Sequence, residues 1–167
     1  MELNDIYDKD RNCTGRVHRR GTPWGKGEYG LVVCVWVYDG KGKVLLTRRA
    51  PQKSFAGTWE NSGGAVRAGE QSLQAIVREL FEETGICAEQ EEFELLCTGR
   101  DRVCHYDFYC LQRSEDTPVI LQPGETDGYR WVTYDEVHEM IEKKQICKVI
   151  AKQFLRQEPL LRKRSKI

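Results

Sequence analysis

One stretch of the chain, residues 64–86, constrains its fold and its chemistry more than any other. It reads GAVRAGEQSLQAIVRELFEETGI. Its less polar residues recur at spacings of three and four, which predicts an amphipathic helix; they are Leu73, Ile76, Val77, Leu80 and Thr84. Gly85 follows the last of these, at a position where helices commonly end in the left-handed conformation. The sequence therefore predicts a helix that begins after Glu70 and ends at Gly85.

Three glutamates, Glu79, Glu82 and Glu83, fall on one face of this helix, turned away from its apolar stripe. Like charges three and four residues apart repel one another and destabilise an isolated helix. The cluster therefore favours a counter-ion, and carboxylate oxygens are the hard ligands that suit Mg²⁺ or Mn²⁺. A solvated acidic face would explain an arbitrary segment of this kind, but the glycines and charged residues around this one favour a catalytic metal site.

The predicted metal site would support phosphoryl chemistry. A divalent ion can bridge phosphate oxygens, polarise the phosphorus and lower the pKa of an attacking water. Arg78 precedes the glutamates, and its planar guanidinium could pair with one of them and fix its rotamer. We therefore expect Glu82, Glu83 and Arg78 to belong to the catalytic machinery.

The whole segment fills every position of the pattern GX5EX7REUXEEXGU, in which U is aliphatic, and it resembles the signature of the Nudix hydrolases. The resemblance implies an α/β fold, a Nudix-type α/β/α sandwich with a mixed central sheet. It also implies that Glu79, Glu82 and Glu83 are metal ligands, that the carbonyl of Gly64 often joins them, and that Glu70 supports the loop. The implied cofactor is Mg²⁺, with Mn²⁺ as the alternative.

Many members of that family add a further carboxylate from a distant loop. The best match is Glu125, in LQPGETDGYRWVTYDEV. The resemblance does not say whether this residue is the general base or a further ligand, and an ordinary exposed turn glutamate explains the position equally well.

A looser resemblance over residues 3–140 is to the branch of the family that contains type I isopentenyl diphosphate isomerase. Arg49 and Lys53, in TRRAPQK, match isomerase positions that hold the substrate's diphosphate, although solvated loop charges remain the alternative. The isomerase uses a cysteine in an Asn-Ser-x-Cys-Gly-His segment, and Gly63 replaces that cysteine here. Protonation of an alkene needs a positioned acid, so isomerisation is disfavoured.

The resemblance thus predicts hydrolysis of a small-molecule diphosphate, most often a nucleoside diphosphate derivative. A non-catalytic nucleotide-binding module of the same fold is the second alternative, and the intact carboxylate set disfavours it. The resemblance allows a homodimer, and the sequence leaves the oligomeric state open.

The chain divides into an N-terminal arm at residues 1–30, a Nudix domain at residues 31–160 and a basic tail at residues 161–167. Turn residues predict a hairpin in the arm around Asp10-Arg11-Asn12, and another at Gly40-Lys41-Gly42 between two β-rich runs. Thr133-x-x-Glu136 is a capping box that predicts a helix at Tyr134–Glu142. A closing helix is expected at residues 148–157.

Composition narrows the partners and the compartment. The chain has 167 residues, with 26 basic and 26 acidic side chains, so no overall field attracts it to a nucleic acid polymer or a membrane. Its seven cysteines form no CxxC pair, which favours free thiols in a reducing compartment. The polar N-terminus does not resemble a signal peptide, and a cytoplasmic location is expected.

Overall fold

The computed structural model describes residues 2–165, and in these residues it contains nine β-strands and three α-helices. The strands are β1 (Leu3–Tyr7), β2 (Cys13–Arg19), β3 (Gly30–Tyr38), β4 (Lys43–Arg49), β5 (Trp59–Glu60), β6 (Ser62–Ala65), β7 (Glu94–Arg100), β8 (Cys104–Gln112) and β9 (Thr126–Thr133). The helices are α1 (Ser72–Thr84), α2 (Tyr134–Glu142) and α3 (Lys148–Ser165), with a short 3₁₀ turn at Gln90–Glu92.

Seven strands form one mixed sheet in the order β5-β4-β3-β8-β7, with β6 paired to β3 and β9 paired to β4. Strands β3 and β8 run parallel from Gly30↔Cys104 to Tyr38↔Gln112, whereas the other pairs are antiparallel. Next to the predicted hairpin turn, β3 pairs with β4 at Tyr38↔Val44. Beyond this pair the two strands have different partners, because β3 pairs with β6 whereas β4 pairs with β9 and β5. The sheet therefore divides into two parts, one built on β3 and the other on β4.

The sheet is covered by helices on both faces, as the predicted α/β/α sandwich requires. Successive side chains of a strand point to opposite faces, and Trp36 of β3 packs in one core with Phe154 of α3. Its neighbour Val35 packs in the other core with Ile76 and Leu80 of α1. All five side chains are fully buried, and each such side chain contributes about 1.5–3 kcal/mol through removal from water.

Helix α1 confirms the prediction for the signature segment. Gly85 adopts the left-handed conformation, with φ 68°, and its N–H donates to the carbonyl of Phe81 at 2.8 Å. The helix therefore ends where the sequence places its end.

Helix α2 spans the predicted residues and begins with the predicted capping box. The Thr133 hydroxyl accepts from the N–H of Glu136 at 3.1 Å, and the Glu136 carboxylate accepts from the N–H of Thr133 at 2.7 Å. The two residues thus satisfy each other's backbone donors at the helix start.

Helix α3 extends beyond residue 157, where the sequence predicted its end. It continues through Pro159 to Ser165, and Leu161 and Ser165 are buried. Residues 161–165, assigned to a basic tail, are therefore the last turns of this helix, because Leu161 continues the apolar stripe of Ile150 and Phe154. Residues 166–167 of that tail lie outside the described residues. No helix within residues 2–165 combines the length and the apolar character needed to cross a membrane.

The N-terminal residues form the predicted hairpin, in which β1 and β2 pair antiparallel. The hairpin packs on the main sheet through backbone bonds between Tyr7 and Tyr29 and through the Asn4 amide, which donates to the carbonyl of Val66 at 2.8 Å. Arg11, at φ 68°, donates two hydrogen bonds to the buried carboxylate of Asp107, at 2.6 and 2.5 Å.

Candidate active site

A cleft of about 450 Å³ lies where β4, β5 and β6 meet helix α1. We call it the carboxylate cleft. Six acidic and four basic side chains line it, together with Gly63, Gly64, Ala65 and Gln122. The acidic residues are Glu2, Glu60, Glu79, Glu82, Glu83 and Glu125, and the basic residues are Arg20, Arg49, Lys53 and Arg67. The fold thus gathers every site residue expected from the sequence except Arg78 along one cleft.

The pKa of the Glu83 carboxyl is strongly perturbed by its surroundings. Burial raises the pKa of its carboxyl well above the usual range, and the neighbouring carboxylates of Glu60 and Glu79 raise it further. The backbone N–H of Gly63 donates to it at 3.3 Å, which offsets only part of this cost. A carboxylate removed from water without a cation beside it is strongly destabilised, so this position favours a bound positive charge.

Glu79 packs directly against Gly64, which explains the glycine. A Cβ atom at Gly64 would lie 2.3 Å from the carboxyl carbon of Glu79, so any other residue would displace that side chain. Burial raises the pKa of Glu79, and the hydrogen bond from Arg78 opposes the rise. The Gly64 backbone and the Glu79 carboxylate, both expected to bind metal, therefore stand next to each other.

Arg78 lies behind the cleft and holds its glutamates in place. Its Nε and Nη2 each donate to Glu70 at 2.8 Å, and its Nη1 donates to Glu79 at 2.6 Å and to Glu82 at 3.3 Å. Burial alone would raise the pKa of Glu70, but the hydrogen bonds from Arg78 and from the Arg67 N–H outweigh it and lower that pKa. Arg78 therefore positions the carboxylates of Glu70, Glu79 and Glu82.

The two cations expected to hold substrate are both paired with carboxylates. Nη1 of Arg49 donates to both oxygens of Glu60, at 2.6 and 2.7 Å, and its Nε donates to the carbonyl of Ser54 at 2.6 Å. Lys53 forms an ion pair with Glu125. Glu125 therefore lies on the side of the cleft that holds the two basic side chains expected to bind substrate.

Sequence reasoning missed Glu60. It lies on the two-residue strand β5, paired with Thr47 of β4, and burial raises its pKa against the opposing hydrogen bond from Arg49. An acidic residue on a short strand just before the signature was the available signal. Arg20, Glu2 and Arg67 were also missed, because only the folded arm and loop bring them to the cleft.

The donor set fits a hard divalent cation. Carboxylate oxygens and a backbone carbonyl are its preferred ligands, and burial raises the pKa values of Glu60, Glu79 and Glu83. Within residues 2–165, no three acidic, cysteine or histidine side chains already stand in metal-binding geometry. Arg78 donates to one oxygen of each of Glu79 and Glu82, so the second oxygen of each carboxylate is not engaged by Arg78.

Comparison with known proteins identifies the family to which this fold and this cleft belong. Residues 28–153 match the model of the NUDIX domain. An uncharacterized Nudix hydrolase of Yersinia pestis is 32% identical over 146 residues, covering 82% of this chain and 76% of that protein. A CTP pyrophosphohydrolase of Escherichia coli is 46% identical over 63 residues, covering 38% of this chain and 47% of that protein.

A crystal structure from Deinococcus radiodurans superimposes with a TM-score of 0.79 at 22% identity, covering 93% of this chain and 99% of that one. This likeness concerns the fold. The chain belongs to the Nudix hydrolase family. The closer relation to the isomerase branch stays a prediction.

Proposed function

We propose that this enzyme hydrolyses a diphosphate linkage in a nucleoside diphosphate derivative or a related organic diphosphate, and that it requires Mg²⁺ or Mn²⁺. Membership of the Nudix family supports cleavage of a pyrophosphate bond. The observation that carries this proposal is the composition of the carboxylate cleft, which is lined by partly buried glutamates of α1 together with Arg49 and Lys53. The glutamates would attract a metal cation, and the two basic side chains would attract an anionic diphosphate.

Glu79, Glu82, Glu83 and the Gly64 carbonyl would hold the divalent cation, and Arg78 would keep the first two oriented from behind. Such an ion, when bound, neutralises charge on the phosphate oxygens and lowers the pKa of the attacking water. The glutamates supply the negative charge that holds the ion, and the cleft places it beside the substrate cations. These roles follow the donor chemistry described above.

Arg49 and Lys53 would bind the non-bridging oxygens of the diphosphate. For this they must exchange their present partners, Glu60 and Glu125, for phosphate oxygens, which are comparable acceptors of charged hydrogen bonds. Glu125, once released from Lys53, would be free to accept the proton of the attacking water or to bind metal. The guanidinium and ammonium groups would then stabilise the charge that develops on the leaving phosphate.

The proposed substrate class rests on this cation pair and on the family. The Escherichia coli relative is named as acting on CTP, which supports a nucleotide-derived diphosphate for this chain. Isomerisation is disfavoured by the local packing of Gly63. A Cβ there would lie 2.3 Å from the carbonyl oxygen of Val33, so the position of the isomerase thiol has no room for one.

Phosphate release from a panel of nucleotide and isoprenoid diphosphates, coupled to a phosphatase, tests the proposal. With excess Mg²⁺, we expect at least one compound to be hydrolysed, with loss of activity in EDTA and its return on addition of Mg²⁺. An unchanged rate in EDTA would contradict the metal requirement, and isomerisation of an isoprenoid diphosphate without phosphate release would contradict hydrolysis.

A further inference from the structure

A second cleft, of about 690 Å³, lies between the edge of the sheet and helix α3. We call it the α3 cleft. It is larger than the carboxylate cleft and shares no lining residue with it. Its walls come from β7 and β8 on one side and from residues 148–160 of α3 on the other. Its volume is within the range of small-molecule sites.

The floor of the α3 cleft is aromatic and apolar. The rings of Tyr106 and Phe108 stack in parallel, with centroids 5.7 Å apart and planes inclined by 2°. At the rim, the apolar side chains of Val149 and Leu160 are 51% and 36% exposed. Burial of such surface by a ligand would contribute favourable free energy in proportion to its area.

One wall of the cleft is cationic. Lys148, Lys152 and Arg156 line it at intervals of four residues, so they lie along one face of α3 over about 12 Å. Like charges at this spacing destabilise a helix. Among residues 2–165, the ion pairs made by α3 involve Glu158, Arg162 and Arg164 and none of these three cations.

The lining contains four basic side chains and one acidic side chain, which leaves it with a net positive charge, and it adds an unused acceptor. Asp101, the acid in the lining, accepts from the Tyr106 hydroxyl at 2.7 Å and from two backbone N–H groups. The side-chain oxygen of Gln153 is buried and has no hydrogen-bond partner within the described residues. A buried polar atom without a partner is costly.

We propose that the α3 cleft binds a small organic anion with a flat apolar body, the chemistry shared by nucleotides and by aryl phosphates and sulfonates. The body lies on the aromatic floor, and the anionic group pairs with Lys148, Lys152 and Arg156. This site is independent of the hydrolytic site and does not rest on the proposed reaction.

Fluorescence titration of the full chain with anilinonaphthalene sulfonate, a flat apolar anion, tests the proposal. We expect saturable binding that the double variant Lys152→Glu/Arg156→Glu weakens by at least about tenfold, because it reverses the charge of the wall. The matched control is Lys26→Glu/Lys163→Glu, which makes the same charge change at exposed lysines outside the lining. It should leave the affinity within about twofold.

A single variant provides a second measurement. Val149→Glu places a carboxylate at the rim of the cleft, and since this side chain is half exposed, folding should survive. We expect weaker dye binding with an unchanged thermal unfolding midpoint and an unchanged rate of diphosphate hydrolysis.

Three results would overturn the proposal. The first is equal affinity in the wild type and the α3 double variant, or equal loss in both double variants. The second is displacement of the dye by single-stranded oligothymidylates with an affinity that grows with their length, which would indicate a polymer site. The third is loss of dye binding as the protein concentration rises at constant dye, which would indicate that a second copy of the chain covers the cleft.

Discussion

Arg49 and Glu60 form an ion pair across the adjacent strands β4 and β5, in which one guanidinium nitrogen donates to both carboxylate oxygens. The two side chains are mostly buried, at 18% and 15% exposure. A diphosphate that binds Arg49 must therefore compete with Glu60, and one that binds Lys53 must compete with Glu125. In the proposed complex, substrate binding would therefore exchange internal carboxylates for phosphate oxygens.

Replacing Arg49 with alanine should chiefly weaken substrate binding. We expect KM to rise by at least about tenfold, the equivalent of one charged hydrogen bond, with a smaller change in kcat. Steady-state kinetics on the hydrolysed diphosphate gives both constants.

The neighbouring Arg48 is the control for this change. It pairs with Asp127 at the surface, with side-chain exposures of 43% and 33%, and it does not line the carboxylate cleft. Arg48→Ala should leave KM within about twofold, since exposed ion pairs contribute little. Equal increases in both variants would contradict the assignment of Arg49.

Gly64→Ala should disable the site without unfolding the protein. The added Cβ would displace the carboxylate of Glu79, which is the flexible end of a side chain, so the backbone need not move. We expect turnover at fixed Mg²⁺ to fall by about 100-fold, the order of loss that a misplacement of about 1 Å produces.

Gly128→Ala serves as the matched substitution, because a Cβ there would make only ordinary contacts of 3.6–3.7 Å. It should retain turnover, and both variants should unfold at urea concentrations close to that of the wild type. Full activity in Gly64→Ala would show that catalysis does not require close packing of Glu79 against β6.

Arg11→Ala should destabilise the fold while sparing catalysis. It removes the partner of Asp107, a carboxylate that is 3% exposed, and loss of the partner of a buried acceptor costs about 1–3 kcal/mol. Urea unfolding followed by tryptophan fluorescence measures the change. The hydrolysis rate per folded molecule should be unaltered, because neither residue lines the carboxylate cleft.

Arg16→Ala is the comparison in the same hairpin. Arg16 is 63% exposed and pairs with Glu28, so its removal should cost less than about 1 kcal/mol. Similar losses from Arg11→Ala and Arg16→Ala would show that the arm is not anchored through Asp107.

The contribution of Glu83 to metal-free stability should fall as the pH rises above the ordinary glutamate pKa of 4.5. The folded pKa of Glu83 is raised, so between the two values the folded state binds more protons than the unfolded state, and stability decreases with pH. Mg²⁺ should reverse this trend, and Glu83→Gln should reduce it. Thermal unfolding of the wild type and Glu83→Gln from pH 4 upward, about the start of the expected window, with and without Mg²⁺, gives the comparison. An identical pH dependence of metal-free stability in the two proteins would contradict the raised pKa of Glu83.

Local sequence was sufficient for the parts of the site that one helix carries. The spacing of Glu79, Glu82 and Glu83 and the caps of α1 depend on residues within a few positions of one another. Glu60 could not be placed in the same way, because its position depends on the pairing of β5 with β4. The α3 cleft could not be predicted from the sequence for the same reason, because α3 and the strands β7 and β8, which are far apart in sequence, enclose it. Pro159 and the basic run after it also obscured the true end of α3.

The most direct test measures hydrolysis of the best diphosphate substrate as a function of Mg²⁺ in the wild type, in Glu83→Gln and in Glu139→Gln. Glu139 is an exposed glutamate of α2 outside the carboxylate cleft. We expect Glu83→Gln to lower kcat by at least about 1,000-fold at saturating Mg²⁺, with folding retained, while Glu139→Gln follows the wild type. Wild-type turnover in Glu83→Gln, or turnover independent of Mg²⁺ in the wild type, would contradict a metal-dependent hydrolase centred on these glutamates.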